Sequence, residues 1–136
     1  MRKANLGVTL MELLVVIAVV GILAAIAIPT YRSYGIRANR ADAKTTLLAA
    51  AGTLERCFTR FNSYAAADGC TLVFPIVSGN NSYSISAPTQ TAVAFSLTAT
   101  PQGGQAADTG CANFTLDNAN ARGVTGTKTW QECWAR

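Results

Sequence analysis

Residues 7–31 read GVTLMELLVVIAVVGILAAIAIPTY, a long apolar segment with one acid, Glu12, near its start. The rest of this segment carries no charge. As an α-helix, residues 8–28 would be about 32 Å long, which is enough to cross the hydrocarbon layer of a bilayer. Arg2 and Lys3 precede the segment, and by the positive-inside rule they keep the N-terminus in the cytoplasm. The sequence therefore predicts one membrane span with an exported C-terminal part.

Three interpretations of this segment compete, and Glu12 separates them. A secretory signal peptide has a similar basic and apolar arrangement, with Ala25 and Ala27 as its cleavage site. A carboxylate inside the apolar region counts against it, because burial of an unpaired charge is costly. A plain membrane anchor explains the length but not Glu12 or the position of Gly7. The third interpretation accounts for both features and rests on residues 7–13.

The heptapeptide GVTLMEL at 7–13 resembles the leader junction of type IV prepilins. In that family a short basic leader ends in glycine. A dedicated inner-membrane peptidase cleaves after the glycine and methylates the new N-terminus. The resemblance implies cleavage between Gly7 and Val8, with methylation at Val8, where the family usually has phenylalanine.

The resemblance also gives Glu12 a role in assembly. Cleavage would create a positive amine at Val8, four residues before the carboxylate. When apolar helices pack together and water leaves, each charge needs a partner. The resemblance implies that Glu12 pairs with the Val8 amine of a neighbouring subunit. The alternative is a pair within one helix, at i and i+4.

Gly21 and Pro29 are weak helix formers inside this segment. Glycine costs a helix about 1 kcal/mol and an interior proline about 3 kcal/mol. Pro29 also lacks a backbone donor, which predicts a kink. Membrane helices tolerate such residues, and that is the simpler interpretation. The resemblance implies instead that residues 21–29 can unwind and make an assembled fibre extensible.

The helical pattern continues beyond the apolar segment. Apolar residues recur there at spacings of three and four, namely Leu47, Leu48, Ala51, Leu54, Phe58 and Phe61. This pattern predicts one helix over about 8–61, with an apolar N-terminal half and an amphipathic C-terminal half that packs on a sheet. Residues 62–81 are predicted to be a connecting loop.

Three strands are predicted after the loop, at 82–87, 93–100 and 111–117, because polar and apolar residues alternate there. Turns are predicted at 88–91, which contains Pro88, and at 101–104. Strands joined in sequence by short turns form an antiparallel meander. The predicted fold class is therefore α+β, a long N-terminal helix packed on a small antiparallel sheet.

The four cysteines are Cys57, Cys70, Cys111 and Cys133, and none belongs to a CxxC pair. An even number downstream of an export segment suggests two disulfides formed in an oxidising compartment. Of the three connectivities, short loop closure favours Cys57–Cys70 and Cys111–Cys133. Free buried thiols are the alternative.

The remainder of the chain looks like a type IVa pilin with a C-terminal disulfide-bounded loop. The segments at 36–58 and 96–111 and the ending WQECW at 130–134 are similar to PilE-type minor pilins. The resemblance implies three parts: a prepilin leader at 1–7, a transmembrane and filament-core half-helix at 8–29, and an exported globular domain at 30–136.

Enzymatic and metal-binding functions have little support. The chain has no histidine, nucleophile elbow, P-loop or paired acidic cluster. The acids and amides at Asp68, Asp108, Asp117 and Asn118 do not have the spacing of an EF-hand. We therefore expect a protein that is not an enzyme, with no catalytic residue, metal or cofactor.

Nucleic acid is a candidate ligand of the C-terminal tail. Cations and aromatics occur together there, as Arg122, Lys128, Trp130, Trp134 and Arg136. Such residues can hold phosphates and stack bases. The preferred interpretation is a structural one: solvated charges, with tryptophans packed on the sheet or disulfide. Net charge is +4, and without the leader's Arg2 and Lys3 it is a modest +2.

The sequence thus predicts a minor pilin that primes or supports assembly of a type IV pilus, with roles in twitching, adhesion or DNA uptake. Its partners would be major and minor pilins, the prepilin peptidase and the inner-membrane assembly platform. It would lie in the inner membrane before assembly and in a cell-surface pilus afterwards. The alternatives are a DNA-binding competence pilin and a type II secretion pseudopilin.

Overall fold

The computed structural model describes residues 7–135, in two compact units, Met1–Gly35 and Ile36–Arg136. Helix α1, Leu10–Phe61, begins in the first unit and ends in the second. The prediction of one long helix is confirmed, and helical backbone continues through Gly21 and Pro29. The predicted kink, the unwinding of residues 21–29 and the division at residues 7 and 29 stay predictions.

The second unit contains a five-stranded antiparallel sheet. Its strands are β1 (Ile76–Val77), β2 (Tyr83–Gln90), β3 (Phe95–Pro101), β4 (Phe114–Asp117) and β5 (Arg122–Val124), ordered β1-β2-β3-β4-β5. Each strand pairs with the next along the chain, as a meander requires. Short 3-10 helices lie at Ala66–Asp68 and Gly103–Ala107, and helix α2 spans Trp130–Trp134.

The predicted turn at Pro88 is wrong. Strand β2 continues through Pro88 to Gln90, and the register with β3 shifts between Ser86 and Thr89. A bulge of this kind accommodates a proline, which has no N–H to donate to the ladder. The chain instead turns at 91–94, where the Thr91 N–H donates to the Ala94 carbonyl at 2.9 Å.

The core of the second unit lies between α1 and one face of the sheet. The buried helix positions are Ala43, Leu47, Ala50 and Leu54, and the main buried sheet residues are Tyr83, Ile85, Phe95, Leu97, Ala99, Phe114 and Leu116. The predicted apolar face was partly wrong: Leu48 is 46% exposed and Phe61 is 43% exposed. The buried helix residues lie at i, i+4, i+7 and i+11, counted from Ala43, and so form one apolar stripe along the helix. Position 48 lies outside this stripe.

Two disulfides fix the ends of this unit. Cys57 is joined to Cys70 with a Cα–Cα distance of 5.3 Å, and Cys111 to Cys133 with 5.8 Å. Both distances lie within the usual range for protein disulfides. The first bond attaches the connecting loop to the end of α1, and the second attaches α2 to the segment before β4.

Candidate functional site

The N-terminal end of α1 carries the residues predicted to matter for processing and assembly. Gly7 and Val8 are exposed and precede the helix. The Thr9 hydroxyl accepts a hydrogen bond from the Glu12 backbone N–H at 3.2 Å, so Thr9 caps the helix. Glu12 lies in the first turn, where a negative charge is favourable. The Thr-x-x-Glu pattern of a capping box was present in the sequence, but this cap was not predicted.

The first unit exposes a continuous apolar surface. Within residues 7–135, α1 is the one helix long and apolar enough to span a membrane. All its large apolar side chains up to Tyr34 are exposed. An apolar surface of this size requires a bilayer or other chains to cover it.

Polar groups at the end of the apolar surface are satisfied within the helix. The Thr30 hydroxyl donates to the Ile26 carbonyl at 2.9 Å, and the Ser33 hydroxyl donates to the Thr30 carbonyl at 2.9 Å. Internal hydrogen bonds of this kind lower the cost of placing hydroxyls in an apolar environment. These residues are therefore compatible with burial in a membrane or in a bundle of helices.

A polar network joins α1 to the segment between β3 and β4. Arg40 donates two hydrogen bonds of 2.6 Å to Asp108, and Asn39 donates to Gln105 at 3.0 Å. The Gln105 amide also donates to the Tyr83 hydroxyl at 3.1 Å. These partners are far apart in sequence and share no periodic pattern, so the network was not predicted. It fixes α1 against the sheet.

The pKa of Asp108 reflects two opposing effects. The Asp108 side chain is only 3% exposed, and burial alone would raise the pKa. Hydrogen bonds and charge from Arg40, together with backbone N–H groups of Gly110 and Cys111, outweigh burial and hold the pKa below its usual value. Asp108 is therefore ionised at neutral pH as the partner of Arg40.

The C-terminal tail, predicted as a DNA-binding candidate, has clear packing roles for some of its residues. Trp134 is buried, donates its indole N–H to the Gly123 carbonyl at 3.1 Å, and packs edge-on against Phe114. The Arg122 guanidinium lies 5.1 Å from the Trp134 ring centroid. Lys128 and Trp130 are exposed, and Arg136 lies outside the described residues.

Helix α2 is held by a capping box. The Thr129 hydroxyl accepts from the Glu132 N–H, and the Glu132 carboxylate accepts from the Thr129 N–H at 3.0 Å. The Thr129 hydroxyl also donates to this carboxylate at 2.9 Å. The backbone N–H and the hydroxyl of Thr129, in that order, hold the pKa of Glu132 below its usual value. The tail is therefore an ordered part of the fold, stabilised locally and by Cys111–Cys133.

A groove at the C-terminal end of α1 was not singled out from the sequence. It has a volume of about 640 Å³ and is lined by Thr53, Arg56, Cys57, Arg60, Phe61, Gly69, Thr71 and Leu72. We call it the arginine groove. The sequence shows the two arginines at i and i+4, Arg56 and Arg60. The opposite wall comes from the loop after α1, whose position could not be predicted from the sequence. Among the described residues, no group of acids or cysteines is arranged to hold a metal.

Comparison with known proteins identifies the family. Residues 29–115 match the model of a family described as type IV minor pilin ComP, DNA uptake sequence receptor. Residues 2–28 match the model of the prokaryotic N-terminal methylation motif.

Curated relatives of the chain are also pilins or fimbrial proteins. The chain is 41% identical over 77 residues to a fimbrial protein of Moraxella nonliquefaciens, covering 52% of this chain and 49% of that protein. It is 51% identical over 43 residues to the type IV major pilin protein PilE1 of Neisseria gonorrhoeae, covering 32% of this chain and 26% of that protein. The matched regions thus span about half or less of these relatives.

The fold is similar to that of the Neisseria meningitidis non-core minor pilin PilV. The TM-score is 0.55 at 23% identity, over 70% of this chain and 91% of that chain. Both structures share the pilin fold. With its methylation motif, its long apolar helix and a family model that covers most of its length, the chain belongs to the type IV pilins, in the family described as type IV minor pilin ComP.

Proposed function

We propose that this chain is a minor subunit of a type IV pilus that enters the filament through its apolar half-helix. The observation that carries the proposal is the exposed apolar surface of α1. This surface directly follows the predicted cleavage site, which lies within the segment that matches the methylation motif. Cleavage between Gly7 and Val8 by the prepilin peptidase would free the amine of Val8 and allow its methylation. Residues 8–29 would then leave the lipid and pack against the helices of neighbouring pilins.

In this proposal the subunit lies in the inner membrane before it enters the filament. Its N-terminus is in the cytoplasm, and the assembly platform extracts it from the membrane. Major and minor pilins then cover the apolar surface, and Glu12 pairs with the Val8 amine of a neighbour. Incorporation at low copy number would prime or support assembly and so contribute to twitching and adhesion.

The test is the location of the chain in cells that make pili. Sheared and purified fibres should contain the chain at a small fraction of the major subunit, and deletion of the prepilin peptidase should remove it from them. A chain that stays wholly in the cell envelope while fibres form normally would overturn the proposal. A chain that equals the major subunit in amount would overturn its minor role.

A second function, DNA binding during uptake, is favoured by a specific observation. The matched family model carries the description DNA uptake sequence receptor. The unit Ile36–Arg136 also has two exposed cations one helical turn apart, Arg56 and Arg60. A cationic surface binds the phosphate backbone with an affinity that falls as salt rises.

DNA binding can be measured with the full mature chain in detergent and a fluorescently labelled duplex. We expect binding that weakens steadily between about 50 and 200 mM salt, as counterion release predicts. Absence of binding at low salt, with a positive control that binds under the same conditions, would remove this second function and leave the pilus proposal intact.

A further inference from the structure

The arginine groove has a fixed shape. One wall is the last two turns of α1, and the other is the segment at 69–72, which Cys57–Cys70 ties to the helix. Gly69 has a φ of +109°, and an added Cβ would lie 3.1 Å from the Phe61 ring. Glycine is needed there because L side chains rarely adopt this backbone conformation. The disulfide therefore holds the two walls in place, and glycine at position 69 lets the loop backbone pass close to the Phe61 ring.

The groove carries two cations and no acid. Arg56 and Arg60 are one turn apart, and both are exposed. The Arg56 guanidinium donates to the Thr53 hydroxyl at 2.9 Å, and the Arg60 guanidinium lies 5.7 Å from the Phe61 ring centroid. Each guanidinium is therefore oriented by a neighbour and keeps further donors for a ligand.

The nearest carboxylates in sequence are engaged elsewhere. Glu55 accepts from the Tyr64 hydroxyl at 3.1 Å, and Asp68 accepts from the Ser63 hydroxyl at 2.6 Å. Neither acid lines the groove. The positive charge of the two arginines is thus not neutralised by a lining side chain.

The remaining lining groups suit a nucleic acid strand. Thr71 supplies a hydroxyl beside the guanidiniums, whereas the Thr53 hydroxyl donates to the Ala49 carbonyl at 3.0 Å. Phe61, which is 43% exposed, offers an aromatic surface. Guanidinium and hydroxyl groups bind phosphate oxygens, and exposed aromatic rings stack on bases. A purely structural role, compensation of the negative end of α1 by Arg60, explains neither the second arginine nor the exposed ring.

We propose that the arginine groove binds the phosphodiester backbone of DNA, with Arg56 and Arg60 each holding a phosphate. This assignment rests on the DNA-binding function proposed above and locates it. Both arginines lie within the segment matched by the family model, whereas Arg122 and Lys128 lie beyond it. The tail residues, of which Arg122 packs on Trp134, are then secondary.

The test compares two pairs of substitutions that remove the same charge. The full mature chain in detergent is titrated against a labelled duplex over a salt series, as wild type, as R56Q/R60Q and as R122Q/K128Q. We expect R56Q/R60Q to weaken binding roughly tenfold and to reduce the salt slope by about 1.8, since each lost phosphate contact removes about 0.9. We expect R122Q/K128Q to change binding less than about twofold.

Each result has a distinct meaning. Unchanged binding by R56Q/R60Q, or equal losses of affinity from both pairs, would overturn the assignment of DNA binding to the groove. The proposal that the chain binds DNA would then still hold. No binding by the wild type would overturn the DNA function and the groove together. R56K/R60K keeps both charges, so it should retain the salt slope and lose some affinity, because lysine cannot bind a phosphate bidentately. Displacement by polyglutamate as readily as by unlabelled duplex would contradict selection for phosphodiesters.

Discussion

Glu12 has a place in the first turn of α1 and a proposed role in assembly, and a single substitution can separate the two. As the residue three positions after the Thr9 cap, it belongs to the first turn of α1. Glutamine also serves in a capping box, so Glu12→Gln keeps the local hydrogen-bonding capacity and removes only the charge. The proposed pairing with a neighbour's amine depends on that charge.

We therefore expect Glu12→Gln to be processed normally but to reach purified fibres at less than about a tenth of the wild-type level, since it leaves a neighbour's amine unpaired in an apolar bundle. Immunoblots of envelope and fibre fractions measure this. Glu132→Gln is the matched control, because Glu132 also lies three positions after a threonine cap and is remote from the apolar half-helix. Normal incorporation of Glu12→Gln would rule out the intersubunit pair.

Asp108 is the second residue whose charge has a measurable consequence. Its folded pKa lies below the unfolded value of about 3.9. The contribution of the Arg40 pair is therefore fully present well above pH 3.9 and is lost as the pH falls through the folded pKa. Loss of one partner of a buried pair costs about 3 kcal/mol.

We expect Asp108→Asn to lower the free energy of unfolding by about 3 kcal/mol at pH 7, because Arg40 loses its carboxylate partner. Denaturant titration of the detergent-solubilised chain at several pH values measures this. Below the folded pKa the difference between variant and wild type should shrink, since both then lack the charge. A difference that stays constant down to low pH would contradict the assignment.

At the scale of elements, α1 is stabilised by one narrow apolar stripe. Leu47 is fully buried against the sheet, whereas its neighbour Leu48 is 46% exposed. We expect Leu47→Ala to cost about 3 kcal/mol, since it leaves a cavity in the core, and Leu48→Ala to cost less than about 1 kcal/mol. Denaturant unfolding followed by tryptophan fluorescence gives both values. Similar costs would show that the helix packs through a different face.

Patterns in the sequence predicted the longest elements well. Helix α1 and the strands β2, β3 and β4 follow from their apolar periodicities. Strands β1 and β5 were missed because two or three residues are too few to show alternation. Strand β2 runs through Pro88 because a bulge accommodates the proline, which local turn signals cannot reveal.

The candidate sites were predictable only where the chemistry is local in sequence. The predicted processing junction lies within residues 7–13, and both helix caps follow the Thr-x-x-Glu pattern. The Arg40–Asp108 pair joins residues 68 positions apart, and the arginine groove needs a loop to form its second wall. Such groupings depend on tertiary packing, which a linear pattern does not encode.

At the scale of the whole molecule, the two units have different requirements. The unit Ile36–Arg136 contains the buried core and both disulfides. The described part of Met1–Gly35 is an exposed apolar helix that must be covered by lipid or by other subunits. Type IV pilins are anchored in a membrane and then assembled into a surface fibre. Lipid covers the apolar helix in the first state, and other subunits cover it in the second.

The first residue of the mature chain tests this account most directly. Intact-mass and N-terminal peptide analysis of the chain purified from pili should find an N-methylated Val8 at the start. Gly7→Ala should leave unprocessed chain in the membrane, while the control Gly21→Ala should be cleaved normally, because Gly21 is remote from the scissile bond. A mature chain that begins at any other residue, or that retains residues 1–7 within the fibre, would contradict the account.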